Sequence, residues 1–102
     1  MIILNTTFYV HESIDGEFRR WIEHEYFPSA SAHGGLEQPV MAKILMEPQE
    51  GMNGYAVQCL APDIAKAQSW HDSHAADLRG ALSAKFGQKV LFFTTYMERI
   101  WP

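Results

Sequence analysis

The order of hydrophobic periodicities along this chain predicts an α+β domain, β-α-β-β-α-β, with a four-stranded antiparallel sheet and two helices on one of its faces. Three observations predict it. Stretches at Ile2 to Val10, Val40 to Glu47, Tyr55 to Leu60 and Lys89 to Ile100 are rich in β-branched and aromatic residues and alternate with a period of two. Two longer stretches, Asp15 to about Phe27 and Ile64 to about Phe86, instead repeat their apolar residues at helical spacing. Between the second and third strands stands Asn53-Gly54, a hairpin signal that makes those two strands antiparallel neighbours.

In the first strand Ile2, Leu4, Thr6, Phe8 and Val10 share one face, and Ile3, Asn5, Thr7 and Tyr9 the other. His11 to Gly16 interrupts it, with Ser13 or Asp15 as the expected cap of the first helix and Glu17 suiting its N-terminal dipole. Phe18, Trp21, Ile22, Glu25 and Tyr26 line one side of that helix, and Pro28 is expected to end or turn it. Ser29 to Ala32 has room for a further turn, and His33-Gly34-Gly35 reads as a flexible connection. Val40 to Glu47, the polar turn Pro48 to Asn53 and Tyr55 to Leu60 complete the hairpin. Asp63 is placed to cap the second helix, Gly80 marks close packing or a mild break within it, and Gly87 stops it. Trp101-Pro102 closes the sequence.

All four strands carry bulky residues on both faces, so a second layer is needed beyond the helices. The simplest cover is a second copy, giving a homodimer whose two sheets close as a barrel. The sequence of 102 residues fits one domain, with hydrophobic residues at 47% and charged residues at 20%, which excludes a disordered chain. Its net charge of −4 argues against nucleic acid or an anionic membrane as partner. The opening residues show no signal peptide, and no apolar run is long enough to span a bilayer, so a soluble bacterial protein of the cytoplasm is expected. Cys59 stands alone, so an internal disulfide is excluded; its apolar surroundings make it a small buried hydrophobe.

Three stretches carry a family resemblance: Met1-Ile2-Ile3 followed by Asn5; Trp21 with Pro28; and His74-Ala75-Ala76-Asp77-Leu78-Arg79, continued by Lys85-Phe86-Gly87 and Glu98-Arg99-Ile100. In these the chain resembles a family of bacterial proteins of about this length, known as a domain of unknown function. That family resembles the dimeric α/β-barrel superfamily, which includes antibiotic-biosynthesis monooxygenase-like and stress-responsive barrel proteins. The resemblance implies a ferredoxin-like fold in a dimeric α/β barrel. The chain departs from the family's pattern at Tyr26, where a histidine is expected, and at Ala76, where a proline is expected. The superfamily hosts oxygenases, haem-degrading enzymes and plain binding domains, so it transfers fold rather than chemistry.

On a wheel of 3.6 residues per turn, Ala67, His71, His74, Ala75, Leu78 and Leu82 share a face, which sets two imidazoles in a stripe that should meet the sheet. His71 and His74, three apart, are expected to be neighbours, with Glu25 near enough to join them. His74, Glu25 and His71 are therefore the candidate acid–base residues. The same trio is compatible with a satisfied buried network, the polar end of a ligand pocket between helices and sheet, or a two-histidine, one-carboxylate metal site; the spacing is not that of a zincin, and no metal or cofactor is assigned. Trp21 and Tyr26 are candidate ring-stacking residues, Arg79 a carboxylate clamp, and Asn5 and Gln58 a polar pocket floor. Three functions stay open: a domain binding a small hydrophobic or aromatic molecule, a cofactor-free or metal-assisted monooxygenase-like enzyme acting on a small aromatic substrate, and a structural dimerisation module.

Overall fold

In a computed structural model, residues 1–46 and 49–101 are described. The sheet has the order β2-β3-β1-β4, in which β1 is Ile2–His11, β2 Glu37–Ile44, β3 Met52–Ala61 and β4 Val90–Glu98, every neighbouring pair antiparallel. This is the expected ferredoxin-like α+β architecture. One face of the sheet carries Leu4, Thr6, Phe8 and Val10 of β1 with Tyr55, Val57 and Cys59 of β3, and both helical layers pack there. Phe8 is its hub, in ring contact with Phe18, Trp21, Tyr26 and Phe92.

The first helical layer is longer than expected. A 3-10 turn at Glu12–Ile14 leads into α1 (Asp15–Trp21), a π-helical segment (Ile22–Tyr26) and α2 (Phe27–Gly34) without interruption. Its cap is neither Ser13 nor Asp15: His11 Nδ1 accepts the Ser13 amide at 3.1 Å. Pro28 does not end the helix. It follows the π-segment, where the Phe27 amide reaches back five residues to the Ile22 carbonyl, a wider turn that eases the clash a proline ring makes with the preceding turn of a regular helix. The wider turn has a consequence for the face that is buried. Ile14, Phe18, Ile22, Tyr26, Ala30 and Gly34 are all buried at a strict spacing of four. A regular α-helix would drift by about 40° per four-residue step, and the wider π-segment takes back part of that drift. Glu25, one position before Tyr26, is thereby turned outward and exposed rather than lying in the apolar stripe. His33 and Gly34 belong to α2, and Gly35, at φ 62°, is its left-handed cap.

β2 begins and ends earlier than expected, with an irregularity between Glu37 and Val40; Glu47 and Pro48 lie outside the described residues. Asn53-Gly54 is not the hairpin turn. Both residues lie inside β3, and Gly51, at φ 81°, supplies the left-handed position just before it. Gly54 instead lets the Tyr9 ring cross the sheet, since a Cβ there would stand 3.1 Å from Tyr9 Cε1.

The second helical layer is broken at Ser73 into α3 (Ile64–Asp72) and α4 (His74–Phe86), while Gly80 is neither a break nor a close approach. Asp63 caps α3 as expected, accepting the Lys66 amide at 2.8 Å. Ser73 donates its hydroxyl to the Ser69 carbonyl at 2.5 Å, with its backbone at φ −115° and ψ −93°. A serine that competes for a backbone carbonyl in this way weakens the helix it sits in. The buried residues of this layer are Ala67, Trp70, Ala75 and Leu82, and His74 is exposed. After Gly87, at φ 57°, and a 3-10 turn, β4 ends at Glu98 rather than Ile100; Pro102 lies outside the described residues.

The opposite sheet face carries Ile3, Asn5, Thr7 and Tyr9, with Val40 and Ala42 from β2, Ala56 and Gln58 from β3, and Leu91, Phe93, Thr95 and Met97 from β4. No helix covers it. Val40 is 50% exposed, Leu91 54% and Phe93 53%. Phe93 thus belongs to this bare face and not to the core.

Candidate functional site

The π-segment and the Ser73 break determine where the candidate side chains go. Glu25 and His74 do come together, in an open groove of about 450 Å3 lined also by His24, Pro28, Ser29, Ala32, His33, Asp77 and Leu78. All of these residues lie on helices. The pocket is therefore between the two helical layers on the outside of the domain, not between helices and sheet. His24 and Glu25 enter it from the π-segment, His33 from the last turn of α2, and His74 and Asp77 from the first turn of α4. The His33 and His74 rings stack nearly parallel, 4.2 Å between centroids and 11° between planes. Pro28, Ala32 and Leu78 give the groove apolar walls; Glu25 and Asp77 give it two carboxylates.

His71 is not part of it. Its Nδ1 accepts from an Arg79 terminal nitrogen at 2.9 Å, and its carbonyl accepts from the other at 2.9 Å. Burial, and then the neighbouring Arg79 charge, hold this imidazole below its ordinary range. The expected trio therefore divides, with Glu25 and His74 in one place and His71 in another. Among the described residues no group of three or more His, Cys, Asp or Glu is placed to hold a metal ion. The stacked imidazoles present their faces to each other, whereas a metal needs the in-plane lone pair of each ring.

The other candidates divide in the same way. Tyr26 is core: it is 1% exposed, donates to Thr6 Oγ1 at 3.3 Å, and packs edge-on against Trp70. Burial raises its phenol to about 12. Trp21 is half-buried between Phe8, Phe18 and Tyr26. Asn5 and Gln58 sit on the bare sheet face, away from the helices; Gln58 Nε2 donates to Asn5 Oδ1 at 3.1 Å, and Asn5 Nδ2 to Thr7 Oγ1 at 3.1 Å. Cys59 is buried, as its sequence context implied, and burial pushes its thiol up to about 11.

Sequence reasoning missed a polar cluster at the start of α1. Asp15 Oδ1 accepts from the Tyr55 hydroxyl and from Asn53 Nδ2, and Arg19 Nε lies 3.0 Å from Asp15 Oδ2. Arg19 also donates to the Tyr55 hydroxyl, at 2.8 and 3.0 Å. Burial alone would raise the Asp15 carboxyl, but the hydrogen bonds from Tyr55 and Asn53 and the Arg19 charge outweigh it and hold the group below its usual value. This cluster ties α1 to β3. The i, i+4 spacing of Asp15 and Arg19 was the available signal.

Comparison with known proteins bears on the fold and the family. A family model described as "Domain of unknown function (DUF4286)" matches residues 1–100. No curated protein sequence gives a significant match. Among solved structures, a Deinococcus radiodurans protein named as a candidate antibiotic-biosynthesis monooxygenase superposes with a TM-score of 0.73 at 12% identity, covering 100% of this chain and 95% of that one. A dimeric ferredoxin-like protein from an uncultured marine organism gives 0.68 at 13% identity, covering 100% and 97%. An ethyl tert-butyl ether D family protein from Bacillus halodurans gives 0.60 at 16% identity, covering 98% and 100%. At these identities the likeness is one of fold. Among the described residues no helix is long and apolar enough to cross a membrane.

Proposed function

The chain belongs to the DUF4286 family of domains of unknown function, and we propose that it is a homodimeric small-molecule-binding domain whose ligand lies in the groove between the helical layers. The groove of about 450 Å3 carries this reading, because it falls in the size range of small-ligand sites and gathers polar groups from three helical segments. Glu25 and Asp77 favour a ligand that brings a positive charge or several N–H donors. The stacked rings of His33 and His74 and the apolar Pro28, Ala32 and Leu78 favour a small aromatic body. The ligand class is an aromatic amine. His24, His33 and His74 then serve as groups that exchange protons with it or hydrogen-bond to it.

The dimer closes across the bare sheet face, a reading supported by the apolar Val40, Leu91, Phe93 and Met97 there and by dimeric ferredoxin-like proteins of the same fold. Two measurements test the proposal. Phenylethylamine should raise the melting temperature in a saturable way and phenylethanol should not; Glu25→Gln should abolish the difference. Equal shifts for amine and alcohol, or an amine shift unchanged in Glu25→Gln, would refute the groove. Light scattering should give twice the chain mass, and Phe93→Glu should give the monomer mass; a wild-type monomer at micromolar concentration would refute the dimer.

A further inference from the structure

Arg79 follows the groove residue Asp77 by two positions on α4 and faces β4 instead. It is half-buried, and its guanidinium carbon lies 5.8 Å from the centre of the Phe92 ring. A guanidinium only donates, so its bond to His71 Nδ1 fixes that imidazole as neutral with its proton on Nε2. His71 in turn stands edge-on to Tyr96, at 5.8 Å and 84°. Among the described residues no carboxylate lies within 4.0 Å of Arg79, although Arg19 and Lys85 each have one. Asp72 acts on it only through space. Two of its five N–H donors are occupied, both by His71.

A cation partly withdrawn from water, beside aromatic rings and without a counter-ion, is costly unless an anion joins it. We infer that Arg79, His71 and Tyr96 form an anion site between α4 and the edge strand β4, and that its ligand is a small aromatic carboxylate. The planar fork of the free guanidinium donors matches a carboxylate, and His71, with its proton on Nε2, and Tyr96, with its ring 5.8 Å from that imidazole, bring two further donor-bearing side chains to the cluster. Phe92, 37% exposed, offers the ligand's ring an apolar surface next to the charge. With a net charge of −4 the protein repels anions in general, so attraction here is local to Arg79. This site stands apart from the groove and does not depend on that reading.

Benzoate is the probe, with benzamide as its uncharged match, in buffer of low ionic strength. Benzoate should bind saturably and benzamide about tenfold more weakly or worse; Arg79→Met should weaken benzoate by a similar factor, and Arg79→Lys by less. In the wild-type chain, benzoate should move the His71 imidazole titration upward by NMR, because an anion stabilises the imidazolium; this readout needs no variant to fold. Equal binding of benzoate and benzamide, undiminished benzoate binding in Arg79→Met, or an unmoved His71 titration at saturation would each overturn the inference. So would a finding that Arg79→Met abolishes dimerisation while the wild type binds no benzoate, since the missing counter-ion would then be a carboxylate of the second copy. Phenylethylamine reads the groove separately, so failure at one site is distinguishable from failure at the other.

Discussion

Replacing Gly34 with alanine tests how tightly the two helical layers are joined. Gly34 ends α2 with φ outside the positive range, so alanine fits the backbone without strain. The space does not admit it. A Cβ would stand 2.8 Å from Trp70 Cγ, 3.0 Å from Trp70 Cβ and 3.1 Å from Leu36 Cγ. Carbon atoms in contact prefer about 3.5–4.0 Å, so the methyl group must push the indole aside. The indole is held: Trp70 is 2% exposed, its N–H donates to Ser29 Oγ at 3.1 Å, and its ring is edge-on to Tyr26 at 5.1 Å. Overpacking of this kind costs about 1–3 kcal/mol. The better helix propensity of alanine returns at most about 1 kcal/mol, and less at a helix end. With the indole held in this way, the cost falls in the upper part of the overpacking range, about 2–3 kcal/mol. Gly34→Ala should therefore lose about 1–2 kcal/mol net, which for a domain of about 100 residues lowers Tm by roughly 4–16 °C. Gly80→Ala is the matched control. It lies inside α4, and nothing stands within 4 Å of its Cβ position, so the same substitution should gain about 1 kcal/mol. Urea unfolding followed by circular dichroism, at one protein concentration because a dimer's stability depends on it, gives both values. If Gly34→Ala is as stable as the unaltered protein, or if the two variants shift in the same direction, the packing argument fails.

Asp15 is held below its ordinary value in the folded chain, so its stabilising contribution is complete above the unfolded value of 3.8 and is lost as pH falls through the folded one. Asp15→Asn should thus lower stability at neutral pH, and the difference from the unaltered protein should shrink through the acid range; a gap that stays constant with pH would refute the assignment. Tyr26→Phe removes only the hydroxyl bonded to Thr6, which keeps Thr94 as a partner at 3.0 Å, so a loss of about 1 kcal/mol is expected in urea unfolding. Cys59, 3% exposed with its thiol at about 11, should react with a thiol reagent only as fast as the chain opens, so labelling and unfolding should accelerate together with urea. Rapid labelling of the native protein would contradict its burial.

The strands were legible because a period of two leaves little choice: Leu4, Thr6, Phe8 and Val10 could only share a face. The helices were less so, and in each case one local event shifted the phase. Ile14, Phe18, Ile22, Tyr26, Ala30 and Gly34 are visible in the sequence as a repeat of four, but a wheel of 3.6 residues per turn misses it and sets Glu25 among the buried residues. Reading Pro28 as a terminator then hid His33, which lies in the continuing helix and stacks on His74. Ser73 did the same for the second layer. Treated as one helix, it makes His71 and His74 neighbours; broken there, it sends His74 to the groove and leaves His71 with Arg79. Asn53-Gly54 misled for a different reason, because the glycine serves the close approach of Tyr9 rather than a turn.

The polar residues of the bare sheet face bear on whether that face can be buried at all. Burying a polar group costs free energy unless it keeps a hydrogen bond. Here Gln58 donates to Asn5 and Asn5 to Thr7, so part of the amides' hydrogen-bonding capacity is met within a single chain before any partner arrives. Asn5 and Thr7 are already 8% and 6% exposed, and Tyr9 packs beside Phe93. The charged side chains nearest the sheet are turned the other way: Lys43 is paired with Tyr55 and Glu98 with Ile2, both on the helix side, while Glu37 stands at the rim opposite Leu60. A face from which, among the described residues, charge is absent across its middle, and whose two amides already bond to each other, gives up less when it leaves water than one carrying free amides. The apolar area of Val40, Leu91, Phe93 and Met97 is then available to drive association. A positive charge at the centre should be felt strongly for the same reason: Thr7→Lys, which removes the acceptor of the Asn5 amide but leaves the helix-facing core untouched, should abolish the dimer while the monomer stays folded. A dimer of unchanged affinity in Thr7→Lys would mean that the two copies meet somewhere else.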